Sequence, residues 1–164
     1  MPLIDPDSLP VRTGTIYPPP LDREVAGRSS IRLGQAGGLT QFGVNIVILA
    51  PGAKSSIRHW HENEDEFVMA LEGELTLVTD AGETPLPPGQ CAAFPAGDPD
   101  AHHLINRSDA EARFLVIGSK AAREVAHYPD YGLKVAIADG SVAFTHADGR
   151  PYDGEPPETP RTKG

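Results

Sequence analysis

This chain of 164 residues predicts an all-β fold, a sandwich or barrel of short strands, and three observations carry that prediction. Glycine and proline each stand at 17 positions, too many breakers for a helical bundle. From Ser29 onward, about nine short runs of strand-forming texture follow one another. Between them lie turn signals: Pro51-Gly52, Glu72-Gly73, Asp80-Ala81-Gly82, Pro87-Pro88-Gly89 and Ala96-Gly97-Asp98. Hydrophobic residues at 39% and charged residues at 23% suit a globular protein, and the length suits one domain with a real core.

Taken in order, residues 1–27 hold Pro2, Pro6, Pro10 and Pro18-Pro19-Pro20 with few apolar side chains. They are expected as an extended arm pinned by packing on something else, or as a disordered tail. The barrel domain is expected over 28–147. Its strand runs are 29–33, 40–49, 55–60, 66–71, 75–79, 84–86, 91–94, 102–106 and 112–117. A short helix competes at 120–126, ending before His127-Tyr128-Pro129. Runs 133–138 and 142–145 flank Asp139-Gly140, a strong hairpin signal, so the C-terminal part is expected as a short helix or hairpin. Residues 148–164, with Pro151, Pro156, Pro157 and Pro160, read as a loose tail.

Fourteen Lys and Arg against 23 Asp and Glu give a formal charge of -9, which repels phosphate backbones and anionic lipid. Neither nucleic acid nor a membrane is expected as a partner. The longest wholly apolar run, 46–50, falls far short of the roughly 20 residues a spanning helix needs. The lone Cys91 has no disulfide partner in the chain and reads as a buried small filler. The first ten residues have neither the basic nor the apolar stretch of a signal peptide, so a cytoplasmic location is expected.

Two histidine clusters carry the chemistry. His59-Trp60-His61 precedes the acidic stretch Glu62-Asn63-Glu64-Asp65-Glu66, and His102-His103 follows later. On a strand, residues two apart share a face, so His59 and His61 present two imidazoles side by side as a metal site needs. Glu66 opens the apolar run 66–71, and an ionised carboxylate entering a barrel interior must be paired or bound to a cation. Taken singly, each piece also fits surface imidazoles and a solvated acidic loop. Their order is more specific: Gly52-x6-His59-x-His61-x4-Glu66-x6-Gly73, then, fifteen residues on, Gly89-x5-Pro95-x-Gly97-x4-His102-x3-Asn106.

This double pattern resembles the cupin superfamily, whose motifs run Gly, His-x-His, Glu, Gly and then Gly, Pro-x-Gly, His, Asn. The motifs span 52–106, and the flanking runs extend the likeness over most of 29–146. The resemblance implies a double-stranded β-helix, a jelly-roll barrel of two antiparallel sheets, holding one metal through His59, His61, Glu66 and His102. It also implies a homodimer in which the N-terminal segment can cross to a second subunit. Two gaps depart from the commonest pattern: Gly52 to His59 is one residue longer, and Gly97 to His102 two longer. His103 therefore competes with His102, although alternation puts His102, Leu104 and Asn106 on one face. Glu66 is preferred to Glu64 because it adjoins the strand and keeps the interval to Gly73.

Three imidazoles and a carboxylate suit one divalent transition metal, Fe, Mn, Ni, Cu or Zn, without choosing among them. An octahedral ion would keep two positions for a bidentate substrate, or for substrate and dioxygen together. The expected function is a metal-dependent enzyme on a small oxygen-rich metabolite, either an oxygenase or an isomerase or lyase working through an enediolate. The alternatives are a non-catalytic module that binds or senses a metal or small molecule, and a metal-free descendant. No catalytic acid or base is assigned; His127, Tyr128 and Tyr131 are candidates that could equally be packing residues. Trp60, Lys54 and Arg58 share outward parity and are not expected in the site.

Overall fold

A computed structural model describes residues 3–154. Twelve strands follow one another: β1 (Arg28–Ile31), β2 (Phe42–Leu49), β3 (Trp60–His61), β4 (Glu66–Glu72), β5 (Leu75–Thr79), β6 (Gly82–Leu86), β7 (Cys91–Phe94), β8 (His103–Ile105), β9 (Ala112–Ser119), β10 (Arg123–Tyr128), β11 (Leu133–Ala138) and β12 (Ser141–His146). A four-residue helix, α1 (Leu33–Ala36), follows β1. Five strands form one sheet in the order β1-β2-β9-β4-β7. The facing wall consists of β12-β11-β10-β3 and β6-β5-β8, joined where His59 and His102 make an isolated antiparallel bridge.

Alternation along the strands decides what lies between the walls. Val47 and Leu49 on β2, Val68 and Ala70 on β4, and Phe114 on β9 point inward and pack with Leu104 of the opposite wall. A second cluster, containing Ile57, Ala126, Tyr128, Leu133 and Val135, closes the end near β10 and β11. The motif positions secure the turns. Gly73 has φ +77°, and a Cβ there would lie 2.8 Å from Ala112 and from the Glu111 carbonyl, so only glycine fits. Asn106, fully buried, donates to the carbonyls of Leu49 (2.9 Å) and Ala110 (2.7 Å) and accepts from Ser108 N (3.0 Å), tying β8 to the end of β2.

Residues 3–27 run along this chain's own barrel. Arg12 and Ser30 exchange two backbone bonds of 2.8 Å, while Leu21 and Val25 are buried and Tyr17 reaches Tyr128 with ring centroids 5.5 Å apart. Residues 1–2, and 155–164 of the expected tail, lie outside the described residues.

Two expectations need correction. The segment 120–126 is not a helix: Arg123–Tyr128 is a strand, paired along its whole length with β11 and through Ala126 and His127 with β3. Its burial alternates with period two, and sheet pairing on both sides outweighs the local helix formers. Cys91 is not buried. Strand β7 turns Ala92 and Phe94 inward, which leaves Cys91 exposed on the outer face. Of the run 55–60 only Trp60 lies in a strand, as the first residue of β3, whereas the hairpin about Asp139-Gly140 forms as β11 and β12.

Candidate metal centre

The bridge between the two halves of the second wall sets the site. His59 N donates to the His102 carbonyl (3.1 Å) and His102 N to the His59 carbonyl (2.8 Å), so the two histidines face each other across the pair. Two residues on, His61 shares the face of His59, and their Nε2 atoms stand 3.0 Å apart. Opposite, Glu66 is the first residue of β4, paired with Gly118 and Phe94 and turned inward. Its Oε1 lies 3.3 Å from His102 Nε2 and its Oε2 lies 3.7 Å from His61 Nε2. His59, His61 and Glu66 offer ligand atoms all within 4.8 Å of one another, and could hold a metal ion. His102 joins through Glu66, its ring stacked on Phe94 at 3.4 Å. His103 is turned elsewhere, towards Lys54, Arg58 and Asp130, and burial with the Lys54 charge pushes its pKa down to about 4.

The donor chemistry fits a cation. His59 Nδ1 donates to the Ile57 carbonyl at 2.9 Å, which leaves the lone pair on Nε2, aimed at His61. Two nitrogens facing at 3.0 Å need a proton or a cation to share. Burial drives the His59 pKa down to about 3 against the opposing pull of Glu66, so its imidazole is neutral. Burial also works against the Glu66 carboxylate, but hydrogen bonds from His102 and His61 outweigh it and hold its pKa far below the usual range. At His61, burial is outweighed by Glu66, Glu124 and Glu64, and the pKa rises.

Sequence reasoning missed Glu124. It is buried on β10, where Oε1 and Oε2 accept from the backbone N–H groups of Glu62 and Asn63, both at 3.0 Å. Its Oε1 is also 3.4 Å from His61 Nδ1. That atom has no aligned hydrogen bond, so the contact orients the ring by charge. With Glu64 and His61 it forms a second acid–histidine group. Only the pairing of β10 with β3 brings it there; nothing within residues 120–126 marks it.

The centre opens on a cavity of about 220 Å³ whose walls include Tyr17, Arg28, Ser56 and Tyr128. Burial pushes the Tyr17 pKa up to about 12 and raises Tyr128 further, so both phenols stay protonated. Of the candidates beyond the motifs, Tyr128 reaches this cavity, with its ring 5.9 Å from that of His59. His127 does not: it stacks on Trp60 at 4.2 Å and pairs with Glu62 at 2.7 Å. Trp60 is half-buried and also lines a separate hollow of about 230 Å³ beside Phe94 and His102. Arg58 is clamped by Asp130 and Asp80, Lys54 pairs with Glu24, and Tyr131 packs in the second core cluster.

The cupin-domain family matches residues 45–118, the segment that carries all four candidate ligands. Among solved structures, a sugar phosphate isomerase from a cupin superfamily, from Silicibacter pomeroyi, is 52% identical with a TM-score of 0.92, covering 96% of this chain and 100% of its own. A candidate sugar phosphate isomerase from Acidithiobacillus ferrooxidans is 26% identical with a TM-score of 0.72, over 82% of this chain and 85% of its own. A polyketide cyclase from Streptomyces resistomycificus shares the fold at 20% identity and a TM-score of 0.59, over 73% of this chain and 79% of its own. No curated protein matches the chain. No helix among the described residues is long and apolar enough to cross a membrane. With its fold, its motifs and a 52% identical relative in agreement over nearly the whole chain, this protein belongs to the cupin superfamily.

Proposed function

We propose that this protein is a metal-dependent isomerase of a sugar phosphate, with one divalent transition metal held by His59, His61, Glu66 and His102. The observation that carries this reading is the convergence of His59, His61 and Glu66 on the wall of a cavity that two protonated phenols also line. The ion would supply Lewis acidity towards a substrate oxygen. Oxygenase chemistry could use the same ligands; the 52% identical relative, a sugar phosphate isomerase, favours isomerisation.

Aldose–ketose interconversion consumes no oxidant: one proton moves between neighbouring carbons and another between their oxygens. Tyr128 suits the oxygen side, since its hydroxyl keeps its proton and its ring lies 5.9 Å from that of His59. Tyr17, bonded to Ile57 N at 3.3 Å, is fixed beside it and closes the cavity with a residue of the N-terminal segment. Glu124 holds His61 in place. Metal-loaded protein is expected to convert an aldose phosphate to its ketose in deuterated water with deuterium incorporation, followed by proton NMR. Tyr128→Phe is expected to be about 100-fold slower. Absence of turnover over a panel of three- to six-carbon aldose phosphates, at full metal occupancy, would favour the non-catalytic binding module.

We also propose that the protein is a cytoplasmic homodimer. The sheet register turns Leu115, Ile117, Phe67 and Met69 to the outer face of the five-stranded sheet, beside Leu71 and the exposed Cys91. A flat apolar face of this kind suits a second copy of itself. The exposed thiol suits a reducing compartment. Light scattering at micromolar concentration is expected to give twice the 17.4 kDa chain mass, and a monomer mass would exclude the dimer.

A further inference from the structure

The barrel mouth carries more cavity than the proposed metal centre uses. Three hollows, of about 220, 490 and 550 Å³, meet at Arg28, which lines all of them. Tyr17, Ser55 and Ser56 are common to the smallest and the middle one; Thr13, Gly14 and Arg32 are common to the middle and the largest. The three hollows therefore adjoin one another between the His59–His61–Glu66 cluster and the outer bowl.

The charge of that bowl is opposite to the charge of the chain. Arg12, Arg28, Arg32 and Lys120 line the largest hollow, and among the described residues no carboxylate lines either of the two larger ones. Elsewhere Lys54, Arg58, Arg107, Arg113 and Arg150 each have a carboxylate partner, while Arg23, Arg123 and Lys134, scattered outside the two larger hollows, have none among the described residues. Arg12, Arg28, Arg32 and Lys120 pair with none of the described carboxylates, in a protein whose formal charge is -9. Arg28 stands at the start of β1 on the face shared with Ser30, and its buried Nε has no hydrogen-bond partner. Arg28 is half-buried and shares the smallest hollow with Glu66, whose charge favours its cation while Arg32 opposes it, and a guanidinium with a buried unpaired Nε is stabilised by an anion that completes it. Guanidinium forks match phosphate oxygens two at a time.

We infer that Arg28, with Arg12 and Arg32, forms a phosphate subsite that holds the phosphorylated end of the substrate while its carbonyl end lies at the metal centre. The assignment of the ester to a sugar rests on the isomerase reading; the anion site itself rests on the unpaired cations alone.

Calorimetric titration of the full chain with inorganic phosphate tests the subsite. Wild type is expected to bind about one phosphate per chain, and Arg28→Gln to weaken binding about tenfold or more. Arg113→Gln, whose partner Glu111 lies away from the cavity, is expected to leave binding unchanged. His61→Ala is expected to retain it, because phosphate would not depend on the metal. Should Arg28→Gln fail to fold, Arg32→Gln reads the same effect from the surface of the bowl. Equal affinity in wild type and the arginine variants, or binding that is lost only in His61→Ala, would overturn the subsite; the second pattern would place phosphate on the metal. Glucuronate, an anion without phosphate, is expected to bind more weakly than glucose 6-phosphate, and the reverse order would overturn the phosphate assignment in favour of a carboxylate site. Phosphate binding without aldose phosphate turnover would leave the subsite standing while removing the isomerase reading, so the two fail separately.

Discussion

Glu124→Ala is expected to cost about 1–3 kcal/mol of stability and to lower metal affinity about 10- to 100-fold, although Glu124 is not a proposed ligand. The stability loss follows from the backbone. Glu62 N and Asn63 N both donate to this carboxylate at 3.0 Å; Glu62 N keeps a second acceptor in the Val125 carbonyl at 2.9 Å, so truncation strands the partly buried Asn63 N–H alone, at about 1–3 kcal/mol. The affinity loss follows from His61, whose Nδ1 lies 3.4 Å from Glu124 Oε1 and whose ring would lose the charge that orients it. Glu124→Gln retains one acceptor oxygen and should fall between wild type and alanine in both measurements. Urea unfolding of the metal-free protein reads the first effect, and competition with a chelator of known affinity reads the second. Unchanged metal affinity in a destabilised Glu124→Ala would confine this residue to holding the turn after β3.

The part of the site that was legible in the sequence is the part that local periodicity controls. His59 and His61 are two apart, so any extended backbone puts them on one face, and the structure sets their Nε2 atoms 3.0 Å apart. Glu66 heads an apolar strand, and parity with Leu104 and Asn106 turned His102 rather than His103 towards it. The resemblance to the cupins and the strand count gave the jelly-roll frame for the same reason, since turns and alternation are local properties. Glu124, Tyr17 and Arg28 escaped because each arrives by long-range pairing: β10 on β3, the N-terminal segment across the barrel mouth, β1 on β2. The residues before and within β10, Lys120-Ala121-Ala122-Arg123-Glu124, have good intrinsic helix propensity, and the neighbouring strands overrode it. Cys91 was misplaced because strand alternation was not applied to it; its parity, opposite to that of the inward Ala92 and Phe94, puts it outside.

Loss of the metal is the largest effect expected of any substitution in this protein. His59→Ala with His61→Ala removes two of the four proposed ligands and leaves Glu66 and His102, too few donors to retain a divalent ion through purification. Both side chains line the cavity rather than the main apolar cluster, so the variant should fold; if it does not, His61→Ala alone carries the test. Elemental analysis of untagged protein, wild type beside the double variant, is the most direct measurement. Near one equivalent of iron, manganese, nickel, copper or zinc in wild type, and background in the folded variant, is the predicted result. Equal metal in both, or none in wild type after reconstitution with each ion, would contradict the metal centre and with it the proposed chemistry.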